Sequence, residues 1–444
     1  MSVASQSLSQ SQRASLSHAS PEAVIDAAAG IRRYLVAGRW IGTNNVYLRA
    51  PVKVVEKEVK AGATTASNPK HLREYVAAST VLHAAEGWSY LGRALVSHAA
   101  GNADVARHLG YYAELRAAMS ILATQGIGIF HRSHAVLTAS SVVRLLKGFA
   151  THEMTWLALE AWATSTAGAD AMTTAIRPEG SPIAGWIGSF GAAATGRPLG
   201  QSWLKEWGLD LRRFTEDRNA RNEVSYRPGV RPHPATSSED GAEFLRQFWP
   251  LFEPRESEPF GIVDRYLLRC SLDAAFAASP SNTVSFRQRI ERALREQADA
   301  AASSALGGFL LRTTEPDEPL LLTYARDRAT QLSPNHHMHV MSRAALLLRL
   351  STGMVSSVLR QAEIEFDELR FWFDRVVDGH GLAAPGDAHD DPLDMWADVR
   401  DALEDLEGHI DSGGAGSYWN LGHGSASALA VLGGAERIGL WALA

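Results

Sequence analysis

The chain is almost without cysteine and has very few lysines. Cys270 is the single cysteine among 444 residues. This excludes a disulfide framework and a cysteine-based zinc site, and it fits a reducing, cytoplasmic location. Six of the 43 basic residues are lysines and the other 37 are arginines. Such an excess fits either phosphate recognition or the alanine and arginine bias of a GC-rich genome, and the 49 acidic residues favour the second.

Motifs of several large enzyme classes are also missing. No Gly-Lys dipeptide occurs, so a P-loop is excluded. Gly126-Ile127-Gly128 lacks the third glycine and the preceding strand of a dinucleotide fingerprint, and no Gly-x-Ser-x-Gly elbow occurs. His152-Glu153 begins like a zinc-protease motif, but Trp156 stands where the second histidine is required. We therefore expect no cofactor.

No apolar run is long enough to span a membrane. The segments Ile121–Phe130 and Leu429–Leu443 are shorter than the roughly 20 apolar residues that a spanning helix needs. The first 20 residues are rich in serine and glutamine, with neither the apolar core of a secretory signal nor the arginines of a transit peptide. Residues 1–30 are thus predicted to be a disordered tail, and we expect no membrane partner.

Helical periodicity dominates the chain from Pro69 onward. Apolar residues at steps of three and four form one stripe from Val81 to Leu95 and another from Leu109 to Leu122. Gly101-Asn102 separates the two stripes, and such a short connection predicts an antiparallel helical hairpin. Further helices are predicted near Met154–Thr164 and over Ser202–Tyr226.

Two other regions have a different composition. Residues 31–60 hold β-branched and aromatic residues around turn signals, which predicts a small strand or β-hairpin. Residues 227–261 hold six of the 18 prolines, so a linker is predicted over 228–260. The predicted fold is therefore mostly α, with two helical-bundle domains at 31–227 and 261–444.

Three histidines lie close together after Pro334. His336 and His339 would share a helix face, and two such imidazoles could bind a metal ion. No acid or cysteine lies near enough in sequence to complete a ligand set. A polar helix start is the favoured interpretation, so we predict no metal site.

One helical face changes character along its length. Its members recur at steps of three and four, which places them on one side of a helix; they are Trp203, Trp207, Leu211, Phe214, Arg218, Arg221 and Ser225. A helix face that is apolar at first and then carries arginines differs from an ordinary core-facing stripe, because arginine side chains are rarely buried without partners. The arginines must either reach solvent or line a groove with anionic partners.

Arg221-Asn222-x-x-x-Tyr226 resembles the signature of the HEPN superfamily. That signature is arginine, a polar residue, three variable positions and histidine, on a late helix of an α-helical bundle. The arginine, the asparagine and the spacing match, whereas Tyr226 replaces the histidine. The resemblance covers roughly residues 70–230.

The resemblance implies a metal-independent ribonuclease, or a non-catalytic RNA- or protein-binding relative, of a bacterial toxin or defence system. Arg221 would hold the scissile phosphate and stabilise its charge, with Asn222 and Tyr226 completing the catalytic set. Arg218 and Arg227 are predicted to bind substrate. RNA, a protein partner or a second copy of the chain are the implied partners. A phenol with a pKa of about 10 is a poor general base at neutral pH, so the replacement of histidine by Tyr226 bears on catalysis and not on the fold.

Two alternatives stay open. Arg218, Arg221 and Asn222 could instead pair with acids of neighbouring helices, such as Glu114 or Glu160, and only hold the bundle together. The chain would then be a non-catalytic helical adaptor or a subunit of a larger assembly.

Overall fold

The computed structural model describes residues 7–190, 204–226, 237–255, 258–278, 284–298, 300–314, 317–326, 336–383 and 391–444. This part of the chain is mostly α-helical and contains a three-stranded antiparallel sheet in the order β1-β2-β3. The predicted fold class, mostly α, is confirmed.

The secondary structure before the proline-rich segment comprises helices and the small sheet. The helices are α1 (Gln10–Leu16), α2 (Pro21–Leu35), α3 (Pro51–Lys60), α4 (Pro69–Ala99), α5 (Ala103–Thr124), α6 (Thr151–Ala163), α7 (Thr166–Ala175), α8 (Ile183–Phe190) and α9 (Leu211–Tyr226). The strands are β1 (Ile127–Gly128), β2 (Ser133–Leu137) and β3 (Val143–Lys147).

The second half of the chain is helical wherever it has regular structure in the described residues. Its helices are α10 (Ser238–Phe248), α11 (Gly261–Ala277), α12 (Phe286–Gln297), α13 (Ala300–Leu310), α14 (Leu320–Ala325), α15 (His337–Gln361), α16 (Phe366–His380), α17 (Met395–Asp411), α18 (Tyr418–Gly424), α19 (Ala426–Leu432) and α20 (Glu436–Leu443).

The predicted disordered tail is wrong over most of its length. Ser9 forms a capping box with Gln12 at the start of α1, and Ser20 caps α2 at the backbone of Ala23, 3.1 Å away. Helix α2 buries one face, including Val24, against α4. This packing stabilises a segment whose serine-rich composition resembles that of a disordered chain. Residues 1–6 lie outside the described residues.

The β element predicted at 31–60 is also wrong. Residues 51–60 form helix α3, with Pro51 at its first position and Val55 fully buried against the sheet. The strands instead lie at 127–147, where Ala135 of β2 pairs with Leu145 of β3. Tertiary packing outweighs β propensity here, because a valine face can serve a helix as well as a strand.

The helical hairpin predicted from the two apolar stripes is confirmed as α4 and α5. Gly101, with φ of 75°, makes the turn between them. Helix α15, from the second half of the chain, packs against both. Trp88 of α4 is fully buried there, and its indole donates a 2.9 Å hydrogen bond to Thr352 of α15.

The predicted division into two helical domains is therefore contradicted within the described residues. One continuous apolar core includes residues from both halves. The segment predicted as a linker contains α10, which begins with a capping box of Ser237 and Asp240 and packs on α4 and α17. Prolines at helix ends, such as Pro250 in the short 3-10 helix Trp249–Phe252, gave this packed region a linker-like composition.

No single helix of the described chain is long and apolar enough to cross a bilayer. Helices α19 and α20 reach that length and apolar composition only when taken together, and the axes of the two helices are bent by 43° relative to each other.

Candidate functional site

Helix α9 carries the arginines, and it begins later than the sequence predicts. A turn at Gly208 precedes α9. The φ of Gly208 is 85°, and a Cβ at this position would collide with the backbone of Ala325. Trp207 therefore lies off α9, buried, with its indole donating to Ser271 at 2.9 Å. Trp203 lies outside the described residues. The predicted face is continuous only from Leu211 onward.

Aromatic stacking holds α9 against α6 and α5. Phe214 of α9 stacks face to face on Trp156 of α6, with ring centroids 4.4 Å apart and an interplanar angle of 4°. The Trp156 indole donates to the Tyr111 hydroxyl of α5 at 3.4 Å. Burying such aromatic area fixes the rotation of α9, and Arg218 and Arg221 follow Phe214 by one and two turns.

Arg221 is buried, and the described residues provide it with no counter-ion. The residue is only 8% exposed, and its guanidinium carbon lies 5.3 Å from the ring centroids of both Tyr111 and Tyr112. Its Nε is buried and has no hydrogen-bond partner, and no ion pair to this side chain occurs in the described part of the chain. The two tyrosine faces supply cation–π attraction, but they leave the N–H donors of a buried cation unmatched.

His152, in the first turn of α6, lies beside this arginine. Its Nδ1 is 2.9 Å from the Tyr111 hydroxyl oxygen, and its ring stacks on that of Tyr111 with centroids 5.7 Å apart. Burial, followed by the positive charges of Arg221 and Arg218, lowers the pKa of His152 to about 4. The imidazole is therefore neutral at pH 7 and able to accept a proton.

Arg218 has an acidic partner, unlike Arg221. Its guanidinium lies 3.4 Å from a carboxylate oxygen of Glu153, the residue after His152. Both side chains are partly exposed, so this ion pair contributes little to stability. Neither Glu114 nor Glu160, the acids considered in the sequence as partners for these arginines, pairs with either of them in the described structure.

Glu114 belongs instead to a buried cluster of charged residues that also contains Arg343 and Asp217. Arg343 of α15 donates to both carboxylate oxygens of Asp217, at 2.8 and 2.7 Å, and its Nε lies 3.6 Å from Glu114. Burial, then the charge of Asp217, raises the pKa of Glu114 well above its usual range, and Arg343 opposes this shift only in part. The cluster anchors α9 through Asp217, one helical turn before Arg221.

The remaining predicted residues are placed only in part. Asn222 is half-buried on α9, next to Arg221. Tyr226 ends the helix, and its side chain is outside what the structure describes, as is all of Arg227. The described structure therefore brings together Arg218 and Arg221 from the predicted set.

The sequence reading missed His152, Tyr111 and Tyr112. Tyr112 belongs to the apolar stripe of α5, where aromatic residues usually indicate core packing, and Tyr111 lies beside that stripe. His152 was considered only as part of an incomplete zinc motif. No local signal links these positions to Arg221, because they lie on separate helices 69 to 110 positions away in the chain.

The histidines near Pro334 have separate structural roles. His336 caps the start of α15, and His337 Nε2 is 2.8 Å from His98 Nδ1 of α4. His339 Nδ1 is 2.5 Å from the backbone oxygen of Tyr324. Within the described chain, no three histidine, cysteine or acidic side chains are arranged to hold a metal ion.

Comparison with known proteins gives no match to a family model, a curated protein or a solved structure.

Proposed function

We propose that the chain is a HEPN-like ribonuclease that holds an RNA phosphate on Arg221. One observation carries the proposal: Arg221 is buried against two tyrosine rings and beside a neutral histidine, and no acid among the described residues pairs with it. Removing one partner of a buried ion pair costs about 3–5 kcal/mol, so a buried arginine normally retains its acid. A bound phosphate would supply the missing negative charge and accept the unmatched N–H groups.

His152 supplies the imidazole that the sequence motif lacks at Tyr226. In the proposed reaction, neutral His152 takes the proton from the RNA 2′-hydroxyl as that oxygen attacks phosphorus. Arg221 stabilises the extra negative charge on the phosphoryl oxygens. The bond to the 5′-oxygen breaks, and this oxygen takes a proton from water. The products are a 2′,3′-cyclic phosphate and a 5′-hydroxyl end, and His152 returns its proton to solvent.

The test uses total RNA incubated in EDTA with wild type, Arg221→Ala, His152→Asn and Arg213→Ala. Arg213 lies on the same helix and pairs with Glu216 at 2.7 Å, so it serves as a matched control. We expect cleavage by wild type and by Arg213→Ala, with 2′,3′-cyclic phosphate ends, and none by the other two variants. Intact RNA with wild-type protein would contradict the nuclease and leave the adaptor alternative.

The wider setting of the proposal comes from the resemblance alone. It comprises a cytoplasmic toxin or defence system and assembly with a second copy or another protein. Sedimentation of the purified chain tests the dimer, since a mass near 48 kDa would be that of a monomer.

A further inference from the structure

A groove runs between α4, α16 and α20, close to the Arg221 site. It consists of two adjoining cavities of about 390 and 510 Å³ that share Arg93, His380 and Glu436. Tyr90 of α4 and Trp372 of α16 both line the first cavity. An aromatic side chain in the lining of a cavity offers a surface on which a flat ring can stack.

Tyr90 connects this groove to Arg221. Its ring stacks on that of Tyr112, with centroids 5.4 Å apart and an interplanar angle of 29°. Tyr112 in turn lies 5.3 Å from the guanidinium carbon of Arg221. A stack of two tyrosines therefore joins the lining of the groove to Arg221.

Arg93 provides a second cationic position, in the middle of the groove. It is exposed, and no hydrogen bond or ion pair to its side chain occurs in the described part of the chain. The acids that line the groove are already engaged: Glu436 with His380 at 3.0 Å, and Glu86 with Arg116 at 3.1 Å. Arg93 is thus available to an anion.

We propose that this groove binds single-stranded RNA leading away from the phosphate on Arg221. One base stacks on Tyr90, in the cavity that Trp372 also lines, and a neighbouring phosphate pairs with Arg93. Alternating cations and aromatic rings are the pattern by which proteins follow a single strand. A duplex would keep its bases stacked on each other and away from Tyr90. The proposal rests on the proposed function for the identity of the ligand.

Binding is measured with the His152→Asn variant. This variant keeps Arg221 and Arg93 and, by the proposed mechanism, leaves RNA uncut. The probe is a fluorescein-labelled 12-nucleotide RNA of unstructured sequence, alone or annealed to its complement. Tyr90→Ala, Tyr90→Phe and Arg93→Ala are compared with Arg400→Ala, an exposed arginine of α17 outside the groove.

We expect Tyr90→Ala to weaken binding roughly tenfold through loss of one stacked base, whereas Tyr90→Phe keeps the ring and the affinity. Arg93→Ala makes the negative slope of log affinity against log salt concentration less steep by about 0.7, because one phosphate contact on a single strand is lost. Arg400→Ala changes neither quantity, and the duplex binds at least about tenfold more weakly than the single strand.

The outcomes separate the two proposals. If Arg221→Ala abolishes cleavage but the Tyr90 and Arg93 variants bind like wild type, the groove proposal is overturned and the nuclease stands. If RNA stays uncut by wild type but binding depends on Tyr90 and Arg93, the nuclease fails and the groove stands. Duplex binding equal to that of the single strand overturns the groove proposal.

Discussion

Arg343 and Asp217 form a fully buried ion pair that joins the two halves of the chain, with the guanidinium Nη2 2.8 and 2.7 Å from the carboxylate oxygens. Asp217 lies one helical turn before Arg221 on α9. The same helix therefore carries an acid paired with Arg343 and, one turn later, an arginine for which the described residues supply no acidic partner.

Loss of the Arg343 charge is expected to destabilise the fold. Arg343→Met leaves a buried carboxylate without its cation, which lowers the free energy of unfolding by about 3–5 kcal/mol. Arg246→Met, in the partly exposed pair with Glu243, serves as the control and costs about 1 kcal/mol or less. Urea denaturation of both variants measures these values, and equal losses would contradict the prediction.

Arg221 is expected to matter far more for activity than for stability. Arg221→Met keeps the apolar stem and removes a cation whose partners are two tyrosine rings, worth about 0.5–2 kcal/mol and offset by its desolvation. We expect the free energy of unfolding to change by about 1 kcal/mol or less while RNA cleavage is lost. Arg349→Met, which breaks the buried pair with Asp264, should cost about 3–5 kcal/mol. A similar cost for both variants would assign Arg221 a structural role.

The pH dependence of cleavage should follow His152. The base must be neutral, and the pKa of His152 is lowered to about 4, so the rate constant falls only as pH decreases through that value. Arg218→Met removes a positive neighbour, which favours the protonated imidazole and raises the pKa of His152. NMR titration of the His152 ring in both proteins checks this shift, and an unchanged pKa would refute the electrostatic account.

Stability should decline in mild acid because buried imidazoles take up protons on unfolding. His98 faces His337 of α15 and Asp240 of α10, and burial lowers its pKa to about 4, well below the usual 6.5. Its contribution is complete above the unfolded pKa and is lost as pH falls towards the folded one, by up to about 1.4 kcal/mol per pH unit. Urea unfolding between about pH 7 and 4.5 should show a smaller slope for His98→Gln; an identical slope would contradict this.

Close packing of α4 against the loop before α20 should tolerate no added methyl group. In Gly92→Ala the Cβ would overlap the carbonyl oxygen of Gly433 and lie 2.9 Å from the backbone nitrogen of Ala435. We expect a loss of about 1–3 kcal/mol or more. Gly408→Ala, in α17 with nothing within 4 Å, should instead gain about 0.5–1 kcal/mol. Thermal unfolding of both variants distinguishes an effect of packing from one of helix propensity.

Much of the helical structure could be predicted because its signals are local. Apolar residues three and four apart predicted α4 and α5, and Gly101 between them predicted the turn. The sheet could not be predicted in this way. Its strands are short, and Ala135 pairs with a residue ten positions away, so pairing depends on contacts that periodicity does not record. Helices α1 to α3 were missed because their stability comes from packing rather than composition.

For the site, the sequence by itself determined that Arg218 and Arg221 follow an apolar stripe on one helix face. Only the tertiary structure decided what each arginine contacts: in the described residues Glu153 pairs with Arg218, while Tyr111, Tyr112 and His152 lie beside Arg221. The physical reason is that helical spacing fixes directions within a single helix. The partners that set charge, burial and pKa come from other helices, whose arrangement depends on the packing of the whole core.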